Sequence, residues 1–182
     1  MAWAPTFTTT AGRTAANVTV QGLTEGLGIT LAVDGAVERR HFLVVGGASL
    51  MLQDLPPIGG DVRLAGFGYS GGVWSFGSFT ARRGTFTGNH AELEGGAIQR
   101  WGGAPLLQLE NATLAANTAA GNGSAIATAA TTNTWHHLML TSNTGTSGAL
   151  WIYQTPVTMV NSIVAGNAPD GAVTFGSGAF TA

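Results

Sequence analysis

Asn111-Ala-Thr-Leu-Ala-Ala-Asn117 carries a pattern that recurs three more times along the chain. Each copy opens on a polar residue, alternates small and apolar side chains, and closes on asparagine. The other copies are Arg83-Gly-Thr-Phe-Thr-Gly-Asn89, His137-Leu-Met-Leu-Thr-Ser-Asn143 and Asn161-Ser-Ile-Val-Ala-Gly-Asn167. Steps of 28, 26 and 24 residues separate the closing asparagines. The chain is therefore built from an internal repeat.

A short apolar strand follows each of the first three copies. Gly95-Gly-Ala-Ile98 and Gly123-Ser-Ala-Ile126 lie at the same offset from their asparagines, and Gly148-Ala-Leu150 comes two residues sooner. A period in the twenties is too short for a strand–helix–strand unit, and apolar residues do not recur at helical spacing. Coils of two or three short strands, stacked ~4.8 Å apart, fit this period. We predict an all-β parallel β-helix of about five to six coils.

Strand alternation assigns side chains to the interior or the surface of the predicted coils. One column is predicted to point inward, namely Phe86, Leu114, Leu140 and Val164. The column beside it is predicted to point outward, namely Thr85, Thr113, Met139 and Ile163. Trp135 falls between Leu109 and Met159 in a further inward column. We therefore predict that Trp135 belongs to the core.

The repeated asparagines have a structural explanation. Stacked amides have both donors and acceptors and can bond one another in a ladder, and asparagine tolerates the left-handed conformation of a sharp corner. The opening residues form a second polar corner, namely Arg83, Asn111, His137 and Asn161. An alignment of Ser49-Leu-Met-Leu-Gln-Asp54 with the later strands puts Gly60 in the ladder column. We assign these columns to the fold rather than to catalysis.

The predicted organisation is a single domain. Residues 1–16 are predicted to be a lead-in or cap, and residues 17–182 the β-helix with a short Gly-rich tail. Val173, Phe175 and Phe180 in that tail would form only a thin cap, and unpaired strands at the end of a stack need covering. We therefore expect the end of the stack to dock on another chain, or the sequence to be part of a longer β-helix.

Composition excludes several functions. Only 9% of the 182 residues are charged, the net charge is −2, and the seven basic residues are all arginine without a basic stripe, which argues against nucleic-acid binding. The most apolar run, Phe42 to Leu52, is interrupted by glycine and is too short to span a membrane. The chain has no cysteine, and no signal peptide is visible in residues 1–10.

Several of these segments resemble a known family. They are Phe42-Leu-Val-Val-Gly-Gly-Ala-Ser-Leu-Met-Leu-Gln-Asp-Leu55, Phe86-Thr-Gly-Asn89, Gly95-Gly-Ala-Ile98 and Asn161-Ser-Ile-Val-Ala-Gly-Asn167. Over residues 40 to 170 the chain is similar to right-handed parallel β-helix repeat proteins, particularly the polymorphic outer-membrane-protein or adhesin-like repeats. The resemblance implies a right-handed coil, a secreted or cell-surface location and an adhesive or structural role. The chain lacks the cysteine pairs that such relatives often carry.

Catalytic and metal-binding motifs are missing from the sequence. The aspartates are scattered over different coils, and the close pair Glu92 and Glu94 reads as a solvated loop. His136 and His137 would point to opposite faces of a strand and so cannot chelate one ion. We predict no catalytic residue, no metal site and no cofactor. A carbohydrate-active, pectate-lyase-like enzyme with a site built from scattered residues remains the alternative.

One group of aromatic residues predicts a binding function. If Ile98, Ile126 and Leu150 point inward, then Trp101, Trp151 and Tyr153 point outward around Ala127 and Ala129, across ~10 Å. Exposed tryptophan and tyrosine stack on sugar rings or anchor protein partners. We therefore expect a non-enzymatic structural or adhesin-like module that recognises a glycan or a protein through this face. A scaffold subunit of a larger assembly is the other alternative.

Overall fold

The computed structural model describes residues 12–14, 17–21, 31–32, 40–62, 68–102, 106–129, 133–168, 173–175 and 179–181. All regular elements among them are short β-strands. Within this part of the chain there is no helix long and apolar enough to cross a membrane. The predicted lead-in, residues 1–16, lies outside the described residues apart from 12–14 and is not tested.

Twenty-four strands follow one another in the part of the chain that the structure describes. The first twelve are β1 Gly12–Thr14, β2 Asn17–Gln21, β3 Leu31–Ala32, β4 Phe42–Val44, β5 Ser49–Gln53, β6 Pro57–Ile58, β7 Asp61–Val62, β8 Val73–Ser75, β9 Ser78–Arg82, β10 Thr85–Thr87, β11 His90–Ala91 and β12 Ile98–Arg100. The remaining twelve are β13 Leu107–Glu110, β14 Thr113–Ala115, β15 Thr118–Asn122, β16 Ile126–Thr128, β17 Asn133–His136, β18 Met139–Thr141, β19 Thr144–Ser147, β20 Leu150–Ile152, β21 Pro156–Val160, β22 Ile163–Ala165, β23 Val173–Phe175 and β24 Ala179–Thr181.

These strands form four parallel sheets, and each strand pairs with its counterpart one coil away. Sheet 1 has the order β1-β4-β8-β12-β16-β20-β23, and sheet 2 the order β2-β5-β9-β13-β17-β21-β24. Sheet 3 runs β3-β6-β10-β14-β18-β22, and sheet 4 runs β7-β11-β15-β19. The chain visits the four sheets in turn, which is the topology of a parallel β-solenoid. The predicted fold class is confirmed, and the hand of the coil stays a prediction.

The predicted number of coils was slightly too high. Four coils contribute a strand to every sheet, namely β4–β7, β8–β11, β12–β15 and β16–β19. Among the described residues, β1–β3 and β20–β24 supply strands to only some of the sheets, so the solenoid makes about four full turns rather than five to six. The predicted count treats the repeats at the two ends as full coils, whereas their described residues supply only part of a turn.

The pairing register confirms the predicted columns. Phe86, Leu114, Leu140 and Val164 are successive partners in sheet 3. Phe86, Leu114 and Leu140 are fully buried, and Val164 packs against the core from its margin. Trp135 pairs with Leu109 and Met159 in sheet 2 and is fully buried, so its predicted core position is correct. Interior stacking of like side chains lets each coil bury the apolar face of the next.

The asparagine ladder forms as predicted. The ladder consists of Asn89, Asn117, Asn143 and Asn167. Each Oδ1 after the first accepts two hydrogen bonds of 2.9–3.0 Å from the asparagine one coil earlier, one from its backbone N–H and one from its side-chain Nδ2–H. Asn89 Oδ1 in turn accepts the backbone N–H of Gly60 at 3.0 Å, which confirms the predicted ladder position of Gly60. Asn89, Asn117 and Asn143 are fully buried. The ladder therefore satisfies polar groups at a corner where regular strand pairing stops.

The left-handed residues lie beside the ladder rather than in it. Positive φ occurs at the residue before each ladder asparagine, at 64°, 53°, 56° and 65° for Gly88, Ala116, Ser142 and Gly166. It also occurs along the second polar corner, at 50–57° for Asp54, Arg83, Asn111, His137 and Asn161. The ladder asparagines themselves do not have positive φ. The role of asparagine in the ladder is thus hydrogen bonding, and tolerance of a left-handed backbone matters at the other corner.

Candidate binding face

The outer face of sheet 1 carries the predicted aromatic residues. Strand pairing places Gln99, Ala127 and Trp151 in register on β12, β16 and β20. Coil-to-coil hydrogen bonds continue one residue further, since the N–H groups of Trp101, Ala129 and Tyr153 donate to sheet 1 carbonyls at 2.9–3.0 Å. The alternation makes Ile98, Ile126 and Leu150 the buried neighbours. Both predicted columns therefore exist in the predicted register.

Trp101, Trp151 and Tyr153 form one group of nearly parallel rings, here called the aromatic cluster. The ring centroids of Trp101 and Trp151 are 6.2 Å apart with a 6° angle between planes. Trp101 lies 6.0 Å from Tyr153 at 12°, and Trp151 lies 5.3 Å from Tyr153 at 17°. These separations are typical of offset stacking. The indole of Trp101 remains 39% exposed, so it presents the most open surface of the cluster.

Of the two alanines that the rings were expected to frame, Ala127 is closed to solvent and Ala129 is partly exposed. Ala127 points outward from sheet 1 yet is 0% exposed. Trp101 and Trp151 come from coils on either side of Ala127, and their rings stack on each other across the position that its short side chain leaves open. The face is therefore a continuous aromatic surface over Ala127 rather than an open groove.

A second aromatic group on the same face was not predicted. Trp74 precedes Gln99 in the outward column, and its ring stacks on Tyr69 at 5.4 Å and contacts Phe76 at 4.8 Å. The guanidinium of Arg40 lies 4.5 Å from the Trp74 ring centroid, and burial lowers the pKa of Arg40 to about 10. Trp74 is thus enclosed by its own neighbours. Trp74 lies in register with Gln99, one coil earlier. An alignment of these two residues in the sequence would have placed Trp74 in the same outward column.

A line of polar residues precedes the sheet 1 strands. Ser147 Oγ donates to Asn122 Oδ1 at 2.6 Å, and Asn122 Nδ2 donates to Glu94 Oε1 at 3.2 Å. We call Glu94, Asn122 and Ser147 the polar column. Burial raises the pKa of the Glu94 carboxyl, and the hydrogen bonds from Asn122 and Gln99 oppose that increase. Glu94 is therefore part of a structured network, and the expectation of a solvated loop holds only for the exposed Glu92.

Gln99 lies on the outer face of sheet 1, next to the polar column. Its side chain lies on the outer face of sheet 1 but is only 1% exposed, between Trp74 and Ala127 in the register. Its amide hydrogen-bonds the Glu94 carboxylate, whereas Gln99 Oε1 is buried without a hydrogen-bond partner. An unpaired buried oxygen of this kind is uncommon in folded proteins.

A buried arginine lies on the opposite side of the same strand. Arg100 is 0% exposed, and its Nη1 donates to the carbonyl oxygens of Ser75 at 3.1 Å and Trp101 at 2.5 Å. Burial lowers the pKa of Arg100 to about 10. Its inward direction keeps this cation out of reach of a ligand on the aromatic cluster. Arg100 therefore anchors the backbone that carries Trp101.

Two carboxylates on the outer surface are paired with arginines. Asp54 bonds Arg83 at 2.6 and 2.8 Å, and Glu110 lies 3.2 Å from Arg82. In the part of the chain that the structure describes, no group of three histidine, aspartate or glutamate side chains is arranged to hold a metal ion.

Sheet 4 places a carboxylate, an imidazole and a hydroxyl in register. Asp61, His90 and Thr118 lie on consecutive coils, and His90 Nδ1 is hydrogen-bonded to Thr118 Oγ1. The backbone N–H groups of His90 and Thr118 donate to coil-to-coil carbonyls at 2.7 and 2.9 Å. These donors are therefore engaged and do not form an oxyanion hole beside the hydroxyl. Asp61, His90 and Thr118 are therefore a row of polar side chains on sheet 4, separate from the polar column.

Comparison of the chain with protein-family models, with curated proteins and with solved structures found no match. The fold itself defines the class of protein, which is a parallel β-solenoid with a stacked asparagine ladder. The similarity to outer-membrane-protein or adhesin-like repeats rests on the sequence motifs alone.

Proposed function

We propose that this chain is a non-enzymatic, adhesin-like binding module that recognises a glycan through the aromatic cluster. The observation that carries the proposal is the parallel stacking of Trp101, Trp151 and Tyr153 on one partly exposed face. The flat C–H faces of pyranose rings pack against aromatic rings of this kind, because burial of apolar surface and the ring quadrupole both favour the contact.

The solenoid supports this function by holding the rings in place. Trp151 lies within a strand paired on both sides, and the N–H of Trp101 is bonded to the adjacent coil. Side chains fixed by regular strands lose little conformational entropy when a ligand binds. The distribution of ionisable groups supports recognition rather than catalysis, since Asp54 and Glu110 are paired with arginines. A cell-surface or secreted location, implied by the resemblance, belongs to the same proposal.

Size-exclusion chromatography with light scattering tests the proposal on the full 182-residue chain. The protein is run alone and with soluble glucan, xylan, mannan, chitosan oligomers and polygalacturonate, and affinities of any binding glycan are measured by calorimetry. We expect binding of at least one glycan and a loss of about tenfold or more in affinity for Trp101→Ala. Met139→Ala, which removes an equally exposed apolar side chain from sheet 3, is the control and leaves affinity unchanged. Binding of no glycan overturns the proposal.

A second candidate function is that of an assembly subunit. Met139 and Ile163 are partners in sheet 3, and they are 42% and 61% exposed. They lie on β18 and β22, where the described part of sheet 3 ends. Exposed apolar side chains next to a strand edge favour association with another chain. This candidate predicts oligomers in the same light-scattering experiment, reduced to monomers by Met139→Ala with Ile163→Asp and unaffected by Trp101→Ala.

A further inference from the structure

We propose that the end of sheet 3 at β22 is a strand-addition site, which binds an extended segment of a partner chain in parallel with β22. The segment carries an apolar residue that packs on Val164 and, three residues later, an asparagine that extends the ladder beyond Asn167. The inference rests on the second candidate function and deepens it, because it identifies the kind of segment that this end of the solenoid accepts.

The four sheets end unevenly at the last coils. Sheets 1 and 2 continue past β20 and β21 with the further strands β23 and β24, whereas the described part of sheet 3 ends at β22. Within the described residues, β22 therefore pairs with β18 along one edge and with no strand along the other. A strand edge of this kind offers backbone donors and acceptors to a further strand. Sheet 3 is thus one strand shorter at this end than the two sheets beside it in the described structure.

The outer edge of β22 presents defined backbone groups. The N–H of Ile163 donates to the carbonyl oxygen of Leu138 at 2.8 Å, so it faces β18. Backbone groups of successive residues point to opposite edges of a strand, and the N–H and C=O of Val164 therefore face away from β18. One coil earlier, the corresponding carbonyl is that of Leu140, which accepts a hydrogen bond of 3.0 Å from Asn167 Nδ2. The carbonyl of Val164 is the next acceptor in this series.

The last asparagine of the ladder differs from the earlier ones in its hydrogen bonds. At Asn117 the backbone N–H and one side-chain N–H both donate to Oδ1 of the next asparagine, at 3.0 and 2.9 Å. No asparagine follows Asn167 among the described residues. Its Nδ2 donates instead to the carbonyl oxygen of Ala165 in its own coil, at a longer 3.3 Å. An asparagine on an added strand would therefore receive from Asn167 the same two bonds that each earlier coil passes to the next.

The side chains at this end are apolar and accessible. Val164 continues the inward column of Phe86, Leu114 and Leu140, but it is partly exposed whereas those three are fully buried. Ile163 beside it is 61% exposed. In the earlier coils the strand that covers this column has its apolar residue three positions before its ladder asparagine. The same spacing defines the partner segment, because an added strand gains affinity from main-chain bonds and specificity from alternate side chains.

The probe is a fluorescent synthetic peptide of residues 111–118, which carries Leu114 and Asn117 at the required spacing. Fluorescence anisotropy measures its binding to the full 182-residue protein. The control peptides are the same residues in reversed order and the peptide with Asn117→Ala. We expect saturable binding of the first peptide, binding about fivefold to tenfold weaker for the Asn117→Ala peptide, and none for the reversed peptide.

Protein variants locate the bound peptide. Val164→Pro removes an N–H at a strand edge, where proline is tolerated, and is expected to abolish binding. Asn167→Ala is expected to weaken binding by about fivefold. The matched control is Asn161→Gly, which changes an exposed asparagine of the same coil outside the ladder and leaves binding unchanged. Circular dichroism and urea unfolding establish that each variant is folded, and Asn167→Ala alone decides the test if Val164→Pro does not fold.

The outcomes separate this inference from the assembly-subunit function. Failure of the wild type to bind the peptide overturns the strand-addition site, as does equal binding of the reversed peptide or unchanged binding by Asn167→Ala. Oligomers in light scattering that bind no peptide leave the assembly-subunit function intact and overturn the site. Oligomers that excess peptide dissociates support the site with a second copy as the partner. A monomeric protein that binds the peptide supports the site with a different chain as the partner.

Discussion

Asn143 Oδ1 accepts two hydrogen bonds from Asn117, one from its backbone N–H at 3.0 Å and one from its side-chain Nδ2 at 2.9 Å. Asn117 Nδ2 also donates to the carbonyl oxygen of Phe86 at 3.0 Å, so the side chain bridges both neighbouring coils. Each ladder asparagine thus donates from Nδ2 to a backbone carbonyl of the previous coil, and its Oδ1 accepts hydrogen bonds from that same coil. The ladder is a stabilising element that depends on the complete amide at every coil.

Asn117→Ala is therefore expected to destabilise the protein by roughly 2–3 kcal/mol, because it leaves buried donors of Asn89 and the buried carbonyl of Phe86 without their partner. Urea unfolding followed by circular dichroism measures this change.

Asn167→Ala is the matched control, since Asn167 terminates the described ladder and is only half-buried, and water can replace its bonds. We expect it to cost about 1 kcal/mol or less. Equal losses at both positions would contradict the role assigned to burial in the ladder.

Sequence reasoning identified the core columns because the copies around Phe86, Leu114 and Leu140 keep the same spacing, and a two-residue alternation then assigns every side chain to one face. The same alternation placed Trp101, Trp151 and Tyr153 on the outer face of sheet 1. It could not show that the rings stack over Ala127, because side-chain direction within a face is set by packing rather than by register. Glu94 was misread because a loop residue can be held by partners from the next coils.

The left-handed column before the ladder provides a test of backbone strain. Ala116 has φ of 53° and occupies the position that Gly88 and Gly166 hold in other coils. A left-handed backbone costs a residue with a Cβ roughly 1–2 kcal/mol, partly offset by the greater freedom of glycine in the unfolded chain. Ala116→Gly is therefore expected to stabilise the protein by roughly 0.5 kcal/mol, measured as the free energy of unfolding in urea.

Gly88→Ala is the reverse substitution, and an added Cβ there meets no atom within 4 Å. We expect it to destabilise the protein by about 1 kcal/mol, purely through conformation. The same sign of effect for both substitutions would contradict this explanation.

Two substitutions of Trp135 separate the effect of a cavity on stability from the effect of an unpaired hydrogen-bond donor. The side chain is fully buried between Leu109 and Met159, and its Nε1 has no hydrogen-bond partner. Trp135→Ala is expected to cost about 3–5 kcal/mol because it leaves a large cavity. Trp135→Phe also removes the unpaired N–H, so we expect a loss of only about 1 kcal/mol or less. Thermal unfolding of both variants measures the two losses, and a Phe variant as unstable as the Ala variant would contradict the prediction.

The pH dependence of stability gives a test of the environment of Glu94. Burial raises the pKa of its carboxyl in the folded chain above the unfolded value, so the folded state binds a proton more readily than the unfolded state. The associated stability is present at acid pH and declines as pH rises from the unfolded pKa through the raised folded pKa. Glu94→Gln removes this titration. Its free energy of unfolding relative to wild type is therefore expected to increase across that interval and to level off above it.

Glu92→Gln serves as the control, because Glu92 is exposed and lies two residues away in the same turn. Urea unfolding of the three proteins between pH 4 and 8 gives the comparison. A difference between Glu94→Gln and wild type that stays constant over the whole range would show that the carboxyl is solvated like an ordinary surface group. A difference that grows with pH for Glu94→Gln alone means that the carboxylate is held in a partly desolvated position.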